Sequence, residues 1–347
     1  MNWFAIDGSF GEGGGQLSRY AVALAAISGR PLHLRNIRAR RAKPGLMAQH
    51  LTALRAAAEV GGGALEGAEL GATEIYYEPG RIRGGEYHFD VGTAGSIVLV
   101  LQALLPVALH ADGPVHLSIT GGTDVRMAPP VDYLRLVFLP WLARMGVRVH
   151  VESVRHGYYP KGGGLVQMRV EPCSAPWPLL AEAPGALLRI SGVSHVAHLP
   201  LHIPERMAAA ARSVLADFDV QIETRVLGDT EAFGTGGALV LTAETENSVL
   251  GAATVAERGV PAERLGEDAG YALRAELEAG AAIDIHACDQ LLIYAAQAQG
   301  TSRFAVRKVS EHTRTVMWLV EQFLPVRFSV EPWQGLYRIE VASTLLS

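Results

Sequence analysis

The most reactive pattern in the chain is VSEHTRTVMWLV, where Ser310 reads as a helix N-cap and sets His312 in the first helical turn. The positive end of a helix dipole disfavours imidazolium, which keeps a nitrogen lone pair available near neutral pH. The free N–H groups there suit a phosphate carried on that nitrogen, and neutral imidazole is a competent nucleophile towards phosphorus. Three other stretches suit phosphate chemistry. GEGGGQLSR (11–19) is a glycine-rich turn ahead of a helix, with Glu12 beside it as a hard-metal ligand. RNIRARRAKPGLMAQH carries Arg35, Arg38, Arg40, Arg41 and Lys43, then Gln49 and His50. Alternate arginines on a strand share a face, and planar guanidinium groups hold phosphate through paired N–H donors. HACDQ (286–290) offers Asp289 and Gln290, which either read a base or cap a helix. Each stretch also has a plainer reading: a surface histidine, a glycine turn, a solvated charge run, an ordinary cap. KGGG at 161–164 lies in a hairpin with no helix after it, so it is not a phosphate loop; no zinc spacing, Walker-type lysine motif or Ser–His–Asp arrangement is visible.

The elements that must position these groups repeat along the chain. A first copy runs from a strand at Trp3–Ile6 through helix QLSRYAVALAAISG, strand Pro31–Ile37 and helix GLMAQHLTALRAAAEVGG to a hairpin of EIYYEP and GEYHFDV. The second reuses EYHFDV, turns at GTAGS, and continues as helix, strand VHLSIT, helix YLRLVFLPWLARMG and a hairpin. In the third copy the turn HACDQ takes the place of GGGQ and AGS, followed by helix LLIYAAQAQG, strand SRFAVRKV, helix EHTRTVMWLVEQFL and a last hairpin. Helical segments repeat apolar residues every three or four positions while the hairpin strands alternate, which predicts a βαβαββ unit used three times. The segment after the proline-rich PCSAPWPLLAEAPG fits neither register and reads as a compact α+β module. The expected class is therefore α+β: residues 1–184 and 280–347 form one discontinuous domain, and 185–279 form a small domain inserted before the third repeat.

Composition narrows the partners. A net charge of −5 excludes a generally basic nucleic-acid coat, so any nucleic acid must be held locally. Two cysteines without paired spacing point to a reduced, cytoplasmic protein. The N-terminus reaches Asp7 with no basic n-region, against a signal peptide. The greasiest stretch, Ile97–Leu109, is interrupted by Gln102 and Pro106 and is too short for a bilayer, so it reads as a buried helix and no membrane partner is expected.

Taken in order, DGSFGEGGGQ, IRARRAKPGL with AQHL, TAGS with LVLQ, GGTDVRMAPP, HGYYPKGGG, DQL and EHT resemble the RNA 3'-terminal phosphate cyclase family from Asp7 to about Val330. The resemblance implies an enzyme that uses ATP as AMP donor with a divalent metal, magnesium or manganese, and acts on RNA 3'-phosphate ends. A histidine takes AMP from ATP with loss of pyrophosphate, AMP passes to the RNA 3'-phosphate, and the neighbouring 2'-hydroxyl closes a 2',3'-cyclic phosphate. Carried over by position, His312 is the nucleophile and Glu12 the metal-proximal carboxylate. Arg19, Arg38, Arg41, Gln49 and His50 meet the RNA end; Gln102, Pro130, His286, Ala287, Cys288, Asp289 and Gln290 form the nucleotide pocket. His286 stands where family members often carry an aromatic residue, which leaves less area to stack on adenine. Two other functions are weighed. The family's non-catalytic branch in ribosome assembly is expected to lack the nucleophilic histidine, and enolpyruvyl transferases, with two similar halves, need no such histidine. The oligomeric state is left open, a homodimer among the options.

Overall fold

The computed structural model describes residues 2–344. The chain opens with β1 (Phe4–Asp7), α1 (Gly15–Ser28), β2 (Leu32–Arg35), α2 (Ala48–Val60), β3 (Ala64–Glu66) and β4 (Ile75–Glu78). These strands form one sheet, ordered β1-β2-β4-β3, with β1 parallel to β2 and the rest antiparallel. A second run supplies β5 (Gly85–Asp90), α3 (Ile97–Ala108), β6 (Val115–Gly121), α4 (Val131–Tyr133), a π-helical turn at Leu134–Phe138, α5 (Leu139–Arg144), β7 (Val149–Gly157) and β8 (Gly164–Val170). Their sheet runs β5-β6-β8-β7, again with one parallel pair and then antiparallel neighbours. The wide π turn falls just before Pro140, which has no N–H to continue the regular ladder.

After β9 (Leu180–Ala181) comes a stretch with its own sheet: β10 (Leu187–Ala197), α6 (His202–Val214), β11 (Val220–Leu227), β12 (Ala232–Phe233), β13 (Gly236–Thr245), β14 (Val249–Val255) and α7 (Ala262–Ala279). Strands β11-β10-β13-β14 form that sheet, α6 and α7 pack on it, and a separate apolar cluster around Met207, Leu239, Leu241 and Leu273 fills the space between. Strand β12 leaves it to pair with the edge of β7. The chain ends with α8 (Ile285–Ala295), β15 (Ser302–Val306), α9 (Glu311–Phe323), β16 (Val326–Trp333) and β17 (Leu336–Ser343), whose sheet is ordered β9-β15-β17-β16.

Three expectations change. GEYHFDV does not close a hairpin with EIYYEP: β4 pairs with β3, whereas β5 pairs with β6 in the next sheet. The alternation Tyr87/Phe89 fits either partner, so the pattern alone could not choose. The extra module does not precede the last sheet; it interrupts it, because β9 lies upstream and pairs parallel with β15. A two-residue strand carries no periodicity to read. Finally, 286–290 is not a turn. Asp284 caps α8 by accepting from the N–H groups of His286 and Ala287, both at 3.0 Å, so HACDQ forms the first turns of the helix.

The helices gather between the sheets, α1 touching α2, α3 and α9 while α8 lies along α9. All of α3 is buried, as is α1 from Gln16 to Ala26, which explains why neither shows a polar face. Fully buried leucines such as Leu17, Leu24, Leu101 and Leu104 each contribute about 1.5–3 kcal/mol to this core. Among the described residues no helix is long and apolar enough to cross a membrane.

Candidate active site

The N-terminal ends of α1, α2, α8 and α9 and the turn 36–47 converge. The loop after β1 is held by its own geometry: Asp7 accepts from the backbone and hydroxyl of Ser9, and the Phe10 ring stacks on Trp318 of α9 with centroids 3.8 Å apart. Gly11, at φ +61, passes so close to α9 that an added Cβ would lie 2.2 Å from the Thr315 hydroxyl oxygen. This clamp carries Glu12 to the start of α9.

There Ser310 caps the helix, its hydroxyl oxygen accepting the Thr313 N–H at 3.0 Å, and His312 occupies the first turn as the sequence predicts. Its Nδ1 lies 3.3 Å from Glu12 Oε2, and Arg41 Nη2 approaches the same oxygen at 3.2 Å. Burial holds the His312 pKa below its ordinary value; Glu12 opposes this, while Arg41, Arg19 and His286 push it further down. The imidazole is therefore neutral at physiological pH, and a proton on Nδ1 facing Glu12 leaves the Nε2 lone pair free.

Beneath this pair lies a buried polar link. Arg19 donates to Gln102 Oε1 at 3.3 Å, and Gln16 donates to Asp289 Oδ2 at 3.0 Å. Burial lowers the Arg19 pKa to about 10, so it stays charged at neutral pH. Burial raises Asp289 to about 7, against the lowering effect of Gln16 and Arg19. His50 is driven to about 3 by burial and by Arg19, Arg38 and Arg41, and its Nδ1 accepts the Met47 N–H at 3.3 Å. An added Cβ at Gly15 would lie 2.1 Å from His50 Nε2, so the helix start and the imidazole fit only because residue 15 is glycine.

Other expected residues serve the frame. Arg38, in the left-handed region at φ 54, donates to the carbonyls of Lys43 and Gly45 at 2.9 and 2.6 Å and so holds the basic turn in shape. Gln49 Oε1 accepts the Ser96 N–H at 3.0 Å, tying α2 to the start of α3. Pro130 immediately precedes α4, and Tyr133 three residues on donates to Asp284 at 2.6 Å, joining that segment to α8. In α8, Ala287 and Cys288 are fully buried, with burial raising the Cys288 thiol pKa, and Gln290 donates to the His286 carbonyl at 2.7 Å. That leaves His286, exposed, as the group of this stretch that faces outward. The sequence reading passed over Gln16, Asp284 and Thr315. Asp284 was recoverable, since Asp directly before an apolar run is a strong cap signal.

Cationic side chains and free helix N–H groups around a neutral histidine make an anion site able to hold a polyphosphate beside a nucleophile. Similarity to known proteins bears on which anion. Residues 10–330 match the family model described as RNA 3'-terminal phosphate cyclase. The chain belongs to the RNA 3'-terminal phosphate cyclase family. It is 53% identical over 335 residues to the RNA 3'-terminal phosphate cyclase of Nitrosospira multiformis, covering 96% of this chain and 95% of that one. It is 44% identical over 337 residues to the cyclase of Pyrobaculum neutrophilum, with 97% of each chain covered. Membership places the protein in an enzyme family, and His312, Glu12 and the arginines lie within the matched span. A looser likeness to the enolpyruvyl transferase NikO of Streptomyces tendae carries no inference, at 18% identity and a TM-score of 0.27 over 62% of this chain and 39% of that one.

Proposed function

We propose that the protein uses ATP to convert an RNA 3'-terminal phosphate into a 2',3'-cyclic phosphate, with His312 as the covalent carrier of AMP. The observation that carries this reading is the position of His312 at the head of α9, with Nδ1 3.3 Å from Glu12 Oε2 and Arg41 3.2 Å from the same oxygen. In the first step Nε2 bonds to the α-phosphorus of ATP and pyrophosphate leaves; Glu12 steadies the Nδ1 proton. An oxygen of the RNA 3'-phosphate then displaces the imidazole and takes AMP. In the last step the 2'-hydroxyl attacks that phosphate, loses its proton and expels AMP. Closure is intramolecular, so positioning by Arg41 and the basic turn supplies most of what it needs. Arg19, Gln102 and Asp289 sit deeper, as the floor of the nucleotide side.

The site suits a divalent ion brought in with its substrate. Glu12 is a single half-exposed carboxylate, and magnesium-like ions take one or two carboxylates plus substrate phosphates. Such an ion, magnesium or manganese, supplies neutralisation of phosphate charge.

The chain also reads as one catalytic domain, residues 1–184 and 280–347, built from three βαβαββ units with 185–279 inserted. The strand order shared by three sheets supports this, as does the pairing of β9 with β15 across the inserted stretch. Both cysteines are unpaired, in keeping with a cytoplasmic setting.

The test is incubation with α-labelled ATP and magnesium or manganese, then denaturing electrophoresis. The reading requires label on the protein that resists alkali, is lost in acid, chases into RNA bearing a 3'-phosphate, and is absent from His312→Ala. Label unaffected by that substitution would sink it.

A further inference from the structure

Far from Glu12 in sequence, three side chains from three segments meet under the surface where the inserted module joins the second sheet. Asp124 lies after β6, His156 on β7 and His195 on β10; all three are buried. His156 Nδ1 is 2.8 Å and His195 Nε2 3.9 Å from Asp124 Oδ2, and one ligand atom from each lies within 4.8 Å of the others. Neither cyclisation nor nucleotide transfer, as derived above, uses any of them.

We infer that Asp124, His156 and His195 form a structural site for a divalent zinc-like ion that fastens the inserted module to the main body. Orphaned polar atoms point to a missing partner. Asp124 Oδ1, His195 Nε2 and the Tyr158 hydroxyl, all buried, have no hydrogen-bond partner among the described residues. Burying a carboxylate and an imidazole nitrogen unsatisfied is costly, and such groups in native proteins normally have an ion, a water or a donor to meet. The donor spacing fits as well. Zinc bonds of about 2.0–2.1 Å imply ligand atoms about 3.3 Å apart on a tetrahedron. The 2.8 and 3.9 Å separations bracket that value, so small side-chain movements would suffice.

The surroundings match those of a metal histidine. His195 turns its other nitrogen, Nδ1, towards Asp132 Oδ2 at 3.6 Å, an outer carboxylate that would fix the ring with Nε2 pointing inward. Thr123 donates to Asp124 Oδ2 at 2.6 Å and orients the carboxylate. Two imidazoles and one carboxylate favour zinc over magnesium or calcium, which prefer all-oxygen sets. Three protein ligands leave the fourth tetrahedral position to a water, and burial of all three favours a structural role over a catalytic one. Pairing of His156 with Ala232 in the β7–β12 ladder puts the ion at the seam, where one bond from β10 and one from β7 would cross-link the two parts.

The experiment loads chelator-treated full-length protein with zinc, desalts it, and measures retained metal by mass spectrometry. The same is done with Glu12→Ala, which removes the carboxylate at the nucleotide site, and with His195→Asn. About one equivalent should stay on wild type and on Glu12→Ala and be lost from His195→Asn, with zinc raising the wild-type melting temperature by at least about 2 °C. Cobalt in place of zinc should give the visible bands of a tetrahedral nitrogen-ligated ion in Glu12→Ala, a readout that stands even if His195→Asn does not fold. Wild type that retains no zinc, or metal that leaves with Glu12→Ala and stays with His195→Asn, would overturn the assignment.

Discussion

Two of the molecule's histidine–carboxylate pairs look alike on paper and behave oppositely. At the head of α9, His312 and Glu12 are half-exposed, 3.3 Å apart and surrounded by cations. At the module seam, His156 and Asp124 are buried and joined by a 2.8 Å hydrogen bond. Burial lowers both imidazole pKa values. At the seam the Asp124 hydrogen bond and charge outweigh burial, and His156 ends above its ordinary value. At α9, Arg41, Arg19 and His286 add to burial, Glu12 cannot compensate, and His312 ends below. A carboxylate beside a histidine therefore does not by itself fix the protonation state: the direct Asp124 hydrogen bond prevails over burial at the seam, whereas surrounding cations offset Glu12 at α9. On the proposed function the first pair offers a lone pair to an incoming phosphate, whereas the second holds a proton that the proposed metal would displace.

The largest effect should separate the pairs outright. His312→Ala should lower AMP attachment by more than about 10³-fold, since a nucleophile cannot be replaced by positioning alone. His156→Asn should destabilise the protein while leaving AMP attachment by the folded fraction unchanged. Labelling with α-labelled ATP alongside thermal melts checks both, and loss of label in a folded His156→Asn protein would erase the distinction.

Gly15→Ala should come next. The methyl group would meet His50 Nε2, and the imidazole, enclosed near the basic turn, has to move with it. Misplacement by about 1 Å costs on the order of 10²-fold in rate, measured here as initial rate of cyclisation with a 3'-phosphorylated oligonucleotide. This contact also shows what was legible in the sequence. The glycine-rich loop, the basic turn and the Ser310 cap were all visible as types and spacings, because local chemistry dictates them. That Gly15 must clear His50, or that Gln16 reaches Asp289, depends on three-dimensional closure between residues far apart in sequence. The seam cluster was invisible for the same reason: its donors at 124, 156 and 195 have no motif spacing, and a search for zinc spacing passes over them. Strand order was legible where helices separate the strands. It failed at β5 and β9, where alternation serves two partners or the strand is too short.

Phe10→Ala tests whether the clamp onto Trp318 positions Glu12. A stacked aromatic pair is worth about 0.5–1.5 kcal/mol beyond its buried area, which corresponds to a roughly 2- to 10-fold loss of AMP attachment if that energy holds the loop. Phe10→Tyr should restore the rate, whereas a purely packing role would lower the melting temperature and leave the rate unchanged.

Glu12→Gln and Arg41→Ala should move the His312 titration in opposite directions, read by NMR of the imidazole in metal-free protein. Removing Glu12 removes what raises the pKa, so it falls further. Removing Arg41 removes a cation that lowers it, so it rises. No movement in either variant would mean that burial alone governs the ring, and the contrast with His156 would reduce to depth.

The smallest effect on catalysis and the clearest on stability should come from Asp289, a carboxylate with no histidine partner. Its pKa is raised from 3.8 to about 7, chiefly by burial. Between those values the folded protein binds a proton that the unfolded chain has released. Stability from this group is thus complete below pH about 4 and is lost as pH rises towards 7, by at most about 1.4 kcal/mol per pH unit. Asp289→Asn cannot ionise and should flatten that segment of the stability–pH curve in urea titrations. The amide can still accept from Gln16 Nε2, and it brings an N–H donor for Gln16 Oε1, which is buried without a partner among the described residues. Near neutral pH the substitution should therefore stabilise the fold. A curve that keeps its slope would mean that Arg19 holds Asp289 ionised throughout, and the floor of the site would then be a permanent ion pair.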